Sequence, residues 1–242
     1  MDNQIIIGRN AVNEAVKLKK PIDCIYVSNI AKFSNYFNDK SLTVKQVTKE
    51  KLDKLADGEN HQGVVAICAM YEYSTLEDIL AISQKNNKAP FIIICDEIED
   101  PHNFGAIIRT AECCGADGII IPKRRSASLS GGTLKASAGA TVPVCKVSNI
   151  VSTIKDLKKQ NIWVYGADMD GKMWCEQKYD GGVALVIGSE GNGISRLVKE
   201  ECDFIVSLPM YGKINSLNAS VAGGILMYEV ARQRLKGAEI GG

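Results

Sequence analysis

The strongest structural signal lies in Val206-Ser-Leu-Pro-Met-Tyr-Gly-Lys-Ile-Asn-Ser-Leu-Asn-Ala-Ser220, which predicts a strand, a sharp loop and a helix start. The strand spans Phe204 to Leu208, because its residues are mostly apolar and a Pro and a Gly follow soon after. Three polar residues of the loop have side chains that can cap the helix: Asn215, Ser216 and Asn218. An ordinary capped helix needs one of them, so three favour a binding role.

The helix that follows is apolar or small from Ala219 to Tyr228. Such a run predicts a helix that is buried on most sides. Ten residues are too short to span a bilayer, which needs about twenty. The polar loop therefore lies at the carboxyl end of a strand, beside a buried helix, and in α/β proteins that edge is where ligands bind.

Composition narrows the class of protein. The 242 residues allow one large domain or two small ones, and 29 Lys and Arg against 28 Asp and Glu mean that an RNA site must be a local patch. The eight cysteines include no Cys-x-x-Cys pair, the N-terminus carries no signal peptide, and the two histidines are far apart. These features predict a reduced, cytoplasmic, soluble protein without a metal site or a membrane segment.

The chain divides into segments that differ in their arrangement of apolar and polar residues. Residues 1–72 predict a small α/β module, and residues 73–89 form a linker that ends in a polar run closed by Pro90. In residues 90–242, short apolar strands alternate with helices: Phe91 to Cys95, Gly118 to Ile121, Val144 to Val147, Ile162 to Tyr165, Val183 to Ile187 and Phe204 to Leu208. Uninterrupted apolar strands predict a parallel sheet with helices on both faces.

A first motif follows the strand at Phe91, in Asp96-Glu-Ile-Glu-Asp-Pro-His-Asn-Phe-Gly-Ala-Ile-Ile-Arg109. Asn103 is the expected N-cap of its helix, and Arg109 falls nearly opposite the apolar stripe. The two could serve one phosphate or ribose, because guanidinium suits phosphate and helix N-termini favour anions. Taken alone, Arg109 could equally be a solvated surface arginine.

A second motif, Ile187-Gly-Ser-Glu-Gly-Asn-Gly193, follows another buried strand. Its glycines would let a ligand approach the backbone, but it matches neither the Walker A pattern nor the dinucleotide fingerprint. Glu190 would repel a pyrophosphate, so the loop fits a nucleoside ligand without phosphates. A plain tight turn is the alternative for this loop alone.

Together the three motifs resemble those of the SpoU (TrmH-type) RNA ribose methyltransferases, from about Phe91 to Lys236. The matching residues are Asp100 to Arg109, Gly188 to Gly193, and Pro209-Met with Ser216-Leu-Asn218. Ile7 to Val12 and His61 to Val65 resemble the added RNA-binding domain of members that modify large-subunit ribosomal RNA, and Ile121 to Ser126 and Trp163 resemble the same subgroup. Two residues depart from the usual pattern, Asn215 for a serine and Ala219 for a valine.

The resemblance implies a trefoil-knotted α/β fold of the SPOUT type and a homodimer with sites at the interface. It implies methyl transfer from S-adenosylmethionine to a ribose 2′-hydroxyl in RNA, most simply a guanosine of 23S ribosomal RNA. The implied cofactor-binding residues are Ala167, Gly188, Leu208, Met210 and Leu217. The implied catalytic residues are Asn103, Arg109, Glu190, Ser216 and Asn218. Arg109 would act as a base or as an electrostatic stabiliser, and we favour the stabiliser because proton abstraction by an arginine is costly.

Other functions stay open at this point. Within the family, the alternatives are a transfer RNA ribose methyltransferase and an antibiotic-resistance rRNA methylase. Outside it, a non-catalytic RNA-binding ribosome factor would keep the basic Lys123-Arg-Arg125 without needing Asn103, Arg109 and Asn218 together. A nucleotide-binding dehydrogenase is disfavoured because both phosphate fingerprints are absent.

Overall fold

The computed structural model describes residues 5–18, 20–33, 36–37, 42–68 and 73–239. Its contacts divide the chain into two units, Met1–Glu72 with Ser128–Gly131, and Tyr73–Ala127 with Gly132–Gly242. Each unit has a sheet and a hydrophobic core of its own. The boundaries 1–72, 73–89 and 90–242 stay a prediction.

In the part of the first unit that the structure describes, a four-stranded sheet is flanked by three helices. Its sheet has the order β1-β4-β2-β3, with β4 antiparallel to both neighbours and β3 parallel to β2. The elements are β1 (Ile5–Ile7), α1 (Arg9–Lys17), β2 (Ile22–Val27), α2 (Ile30–Phe33), β3 (Val44–Gln46), α3 (Lys49–Leu55) and β4 (Val64–Cys68). Alternate residues of β4 enter two apolar clusters, Val64 and Ala66 one of them and Val65 the other, so the sheet is covered on both faces.

The second unit confirms the expected parallel sheet. Six strands lie in the order β10-β8-β9-β5-β6-β7, and every described pairing among them is parallel. The strands are β5 (Phe91–Asp96), β6 (Gly118–Pro122), β7 (Val144–Val147), β8 (Ile162–Met173), β9 (Gly182–Gly188) and β10 (Phe204–Ser207). The helices are α4 (Leu76–Lys85), α5 (Pro101–Cys113), α6 (Gly131–Ser137), α7 (Ile150–Lys158), α8 (Arg196–Glu201) and α9 (Ala219–Glu239), with a 3₁₀ turn at Trp174–Glu176.

Helices cover both faces of this sheet, as the apolar strands predict. Ile92 and Ile94 of β5 join a core cluster with α4, α7 and α8. The alternate residue Ile93 is also fully buried, on the side where α5 and α9 pack. The predicted linker carries α4, whose Ile79 belongs to the first of these cores.

Helix α9 begins at Ala219 as predicted, but it is not buried on most sides. Leu226, Met227 and Val230 are buried, whereas an apolar stripe on the opposite side is exposed: Val221, Ile225, Tyr228 and Leu235. A helix sequence that is apolar on all sides predicts that the helix is buried, but it does not show which neighbours bury it. Within the described ranges, no helix is both long and apolar enough to span a bilayer.

The last turns of α9 are tied to the start of β5 by Arg234. Its guanidinium donates hydrogen bonds of 2.8 to 3.1 Å to the carbonyl oxygens of Ala89, Pro90 and Gly181, and lies 5.1 Å from the centre of the Phe91 ring. Burial lowers the pKa of Arg234 from its ordinary value. This anchor fixes α9 against the sheet and so fixes the helix start that faces the candidate site.

Candidate active site

The first motif starts helix α5 differently from the sequence expectation. Asp100 is the N-cap and accepts a hydrogen bond from the His102 backbone N–H at 3.0 Å, and Pro101 takes the first helical position. The expected cap, Asn103, is instead inside the first turn and only 7% exposed. The reason is that proline suits the first helical position, where its missing N–H costs nothing. The Asn103 side chain is thereby free to bind elsewhere.

The second motif closes into a tight loop after β9. Ser189 and Gly193 exchange backbone hydrogen bonds of 3.0 and 2.9 Å, and Gly193 has a φ of +64°. A Cβ on Gly188 would lie 2.1 Å from the carbonyl carbon of Gly193. Gly188 is therefore required by the loop's own backbone, which is a second reason for glycine beside the expected approach of a ligand.

The three motifs meet through three side chains. The Asn103 amide donates to Glu190 Oε1 at 2.9 Å, and the Asn218 amide donates to Asn103 Oδ1 at 2.8 Å and to Glu190 Oε1. Asn103 and Asn218 are 115 positions apart in sequence. We call this set the amide–carboxylate network. Each member fixes the other two, so the loops that carry them are held in one arrangement.

Asn218 also caps helix α9. Its Oδ1 accepts hydrogen bonds from the backbone N–H groups of Ser220 at 3.0 Å and Val221 at 3.3 Å, and from the Ser220 hydroxyl at 2.6 Å. The oxygen thus satisfies free N–H groups at the helix start, while the amide nitrogen serves the network. The expectation of a capping side chain in this loop is confirmed for Asn218.

A cavity of about 460 Å³ opens beside the network. Seven residues singled out from the sequence lie on its wall: Ala167, Gly188, Glu190, Leu208, Met210, Ser216 and Leu217. The wall also includes the apolar Ile187, Val206 and Leu226. The volume falls in the range of small-molecule sites, about 300 to 1,000 Å³, and a mostly apolar wall with few polar groups is typical of them.

Charged residues that the sequence did not single out also line this cavity. Lys199 of α8 forms ion pairs with Asp168 at 2.9 Å and Asp170 at 3.4 Å, both on β8. The hydrogen bond with Asp168 is the main cause that raises the pKa of Lys199. The alternating Asp168-Met-Asp170 directly after Ala167 is a sequence signal for the acids, but nothing in the sequence of α8 marks Lys199.

A smaller cavity of about 390 Å³ lies on the other side of the loop, sharing the segment from Ser189 to Asn192 with the first. Its wall is acidic, with four carboxylates and Asn103: Glu97, Glu99, Asp100 and Glu190. Glu97 is paired with Arg125 at 2.9 Å. Among the described residues, no group of three or more His, Cys, Asp and Glu side chains is arranged to hold a metal ion.

Arg109 is the one predicted catalytic residue that the fold keeps away from the others. It is exposed and lines neither cavity. The next residue, Thr110, faces Gly224 of α9, since a Cβ there would lie 3.7 Å from the Thr110 methyl group. Arg109 therefore lies on the helix that packs against α9, exposed and outside the amide–carboxylate network.

Comparison with known proteins identifies the family. A model described as the SpoU rRNA methylase family matches residues 90–228, and one described as RNA 2′-O ribose methyltransferase substrate binding matches residues 5–74. The chain belongs to the SpoU methylase family. It is therefore an RNA methyltransferase, and the predicted family membership is confirmed.

Relatives and solved structures cover nearly the whole chain. A protein of Bacillus subtilis described as a TrmH family tRNA/rRNA methyltransferase is 45% identical over 95% of both chains. The SpoU methyltransferase AviRb from Streptomyces viridochromogenes, solved with AdoMet, has a TM-score of 0.62 at 23% identity, over 96% of this chain and 91% of its own. An rRNA methyltransferase from Sinorhizobium meliloti has a TM-score of 0.60 at 25% identity, over 96% and 87%.

Proposed function

We propose that this chain transfers a methyl group from S-adenosylmethionine to a ribose 2′-hydroxyl of RNA, in the 460 Å³ cavity. The observation that carries the proposal is the amide–carboxylate network, which joins all three family motifs and whose Glu190 lies on the cavity wall. A substrate-binding match over residues 5–74 that names 2′-O ribose methyltransferases supports the ribose as the acceptor.

The residues present fit this cofactor. S-adenosylmethionine has no phosphate, and the loop of the cavity carries Glu190 where a phosphate site would need donors. We propose that Ala167, Gly188, Leu208, Met210 and Leu217 hold it, by apolar contact and backbone groups. When bound, it supplies a methyl group on a positively charged sulfonium, and a nearby carboxylate such as Glu190 favours positive charge.

The chain's own contribution is positioning and charge. We infer that Asn103, Glu190 and Asn218 keep the cavity wall rigid, and that Ser216, also on that wall, helps to orient the ribose. The 2′-hydroxyl would have to release its proton to solvent water as its oxygen takes up the methyl group. A protonated Arg109 would stabilise the developing alkoxide or the adjoining phosphate.

A second copy of the chain would complete this arrangement. The exposed stripe of α9 formed by Val221, Ile225, Tyr228 and Leu235 is apolar, and α5, which carries the exposed Arg109, packs against α9. Symmetric pairing of such faces is the commonest way that chains form dimers. We therefore propose a homodimer that covers the stripe and brings Arg109 into a shared site. We also propose that residues 90–242 form a trefoil-knotted domain.

The RNA is proposed to be ribosomal, with a guanosine of 23S rRNA as the target and residues 1–72 docking it. The S. meliloti neighbour is described as an rRNA methyltransferase, whereas the B. subtilis relative is described for both tRNA and rRNA, so a tRNA ribose is the second candidate. The eight free cysteines fit the reducing cytoplasm.

Mapping of 2′-O-methyl sites tests the proposal. RNA from a strain that lacks the protein is compared with RNA from the parent and from a complemented strain. We expect one site in 23S rRNA to disappear and to return on complementation. Loss of a tRNA site would select the second candidate, and an unchanged map of both RNAs, with no methyl transfer to either by purified protein, would refute ribose methylation.

A further inference from the structure

Two opposite charges lie on the wall of the 460 Å³ cavity without belonging to any of the three motifs. Asp168 and Lys199 line it from different elements, and their side chains are 16% and 31% exposed. Asp168 Oδ1 receives both the Lys199 ammonium at 2.9 Å and the Asp170 backbone N–H at 3.2 Å. The pair is therefore fixed in place, yet open to solvent within the cavity.

Each partner keeps one unused hydrogen-bonding position. Among described residues, Asp168 Oδ2 accepts no hydrogen bond, and it lies near the loop of Gly193, 3.8 Å from where a Cβ on that glycine would be. The Lys199 ammonium has three N–H groups and contacts two carboxylates, Asp168 and Asp170. One acceptor and one donor of opposite charge are thus left beside the same cavity.

A purely structural role explains this arrangement poorly. A partly exposed ion pair contributes between about 0 and 1 kcal/mol to folding, so stability alone gives little reason to place three charges on this cavity wall. Ile187, Val206 and Leu226 supply the apolar wall, which suits an uncharged ring system. A ligand that has an uncharged ring system and an end with one positive and one negative group would match both regions.

S-adenosylmethionine has this composition, since its nucleoside is uncharged and its amino-acid end carries an ammonium and a carboxylate. We propose that Lys199 and Asp168 bind that amino-acid end, Lys199 donating to the carboxylate and Asp168 accepting from the ammonium. The inference rests on the proposed function and adds two cofactor-binding residues to it. It predicts that the pair discriminates between ligands that differ only in the amino-acid end.

Two uncharged-sulfur ligands test this directly. S-adenosylhomocysteine keeps the amino-acid end, and 5′-deoxy-5′-methylthioadenosine has the same nucleoside without it. Binding of each is measured by calorimetry on the full-length wild type, Lys199→Met and Asp168→Asn. We expect each variant to bind S-adenosylhomocysteine about tenfold or more weakly, because a hydrogen bond to a charged group is lost, and methylthioadenosine within about twofold of wild type.

Lys155→Met is the matched control, because Lys155 forms an ion pair with Glu201 at 3.1 Å but does not line the cavity. It should leave both affinities unchanged. Equal loss of both ligands in Lys199→Met and Asp168→Asn would mean that the pair serves the nucleoside or the loop, and unchanged binding of both would mean that it binds nothing; either overturns the inference. A wild type that binds neither ligand would instead refute the proposed cofactor.

Discussion

Two positions of helix α5, Asn103 and Arg109, differ in the contacts that the rest of the chain makes with them. At the first turn, Asn103 is 7% exposed and joined to Glu190 and Asn218 by hydrogen bonds. Almost two turns on, Arg109 is exposed and outside both cavities. One helix thus carries a hydrogen-bonded network residue in its first turn and, further along, the exposed Arg109 that we propose to be catalytic.

The difference separates two kinds of contribution to a methyl-transfer site. The buried Asn103 amide must be satisfied within the fold, because leaving a buried amide unpaired costs about 1 to 3 kcal/mol, whereas its partners Glu190 and Asn218 are exposed. An exposed guanidinium costs little to leave in water, and it gains its full electrostatic value when RNA or a second subunit excludes water around it. We therefore expect changes at Arg109 to affect rate, and changes near the network to affect stability.

Arg109→Ala should produce the largest effect. We expect methyl transfer to fall by on the order of a hundredfold or more, because one electrostatic partner of the transition state is lost. Arg109→Lys should rescue little, since it keeps the charge without the planar fork. A single-turnover methylation assay measures both variants, and Arg196→Ala, which removes another exposed arginine, is the control.

The same variant should leave the fold intact. The free energy of unfolding should change by less than about 0.5 kcal/mol, as at other exposed positions, and cofactor affinity should stay at the wild-type value. A near-wild-type rate for Arg109→Ala would remove Arg109 from the site. A large loss of stability would instead show that the two ends of α5 are not separable.

Gly188→Ala tests the loop that holds Glu190 at the first turn of α5. The new Cβ would collide with the Gly193 backbone, so we expect the free energy of unfolding to fall by about 1 to 3 kcal/mol and cofactor binding to weaken. Gly191→Ala in the same loop is the control, because a Cβ there meets nothing within 4 Å. Equal stability of the two variants in urea unfolding would contradict the close packing.

Glu190→Ala removes the shared acceptor of the network. The buried Asn103 amide and the exposed Asn218 amide lose their partner, and we expect the free energy of unfolding to fall by about 0.5 to 1.5 kcal/mol, because water can replace the bond to Asn218. Glu190→Gln keeps an oxygen that can accept both hydrogen bonds, so it should be destabilised less. If thermal unfolding finds the two variants equal, the hydrogen bonds to Glu190 do not stabilise the loop.

Asn218→Ser gives the smallest and most selective effect. Serine caps helices about as well as asparagine but lacks the amide that reaches Glu190 and Asn103. Asn218→Ala loses the cap as well, so it should be less stable than Asn218→Ser by about 1 kcal/mol. Helix content and urea unfolding of both variants measure the difference, and no difference would mean that the cap of α9 is dispensable.

The parallel sheet and the site's location could be predicted from sequence because they follow from local patterns. Uninterrupted apolar strands such as Phe91 to Cys95 predict burial on both faces, and polar loops after strands predict a ligand edge. The motif residues Asn103, Glu190 and Asn218 were also identified, through their order in the chain and the family resemblance. The hydrogen bonds among these three residues could not be predicted from the sequence, because they depend on how the fold brings the three motifs together.

The wrong predictions concern features that depend on other residues, some close in the chain and some distant. Asn103 is a good N-cap by type, but Asp100-Pro101 occupies that role three residues earlier. β8 runs to Met173, beyond the expected Tyr165, because β10 also pairs with Lys172 and Met173 after a register shift. Neither outcome is written in local hydrophobicity. The exposed stripe of α9 and the Lys199 ion pairs depend in the same way on distant elements.

The order of strands in the larger sheet has a consequence for synthesis on the ribosome. β5 pairs on one side with β6, which follows it closely in the chain, and on the other with β9. β9 leaves the ribosome only after β6, β7 and β8, so one edge of β5, a strand that is apolar except for Asp96, stays open while translation continues. Such an edge can pair with other chains, so we expect the nascent protein to aggregate more readily before β9 is made than after it.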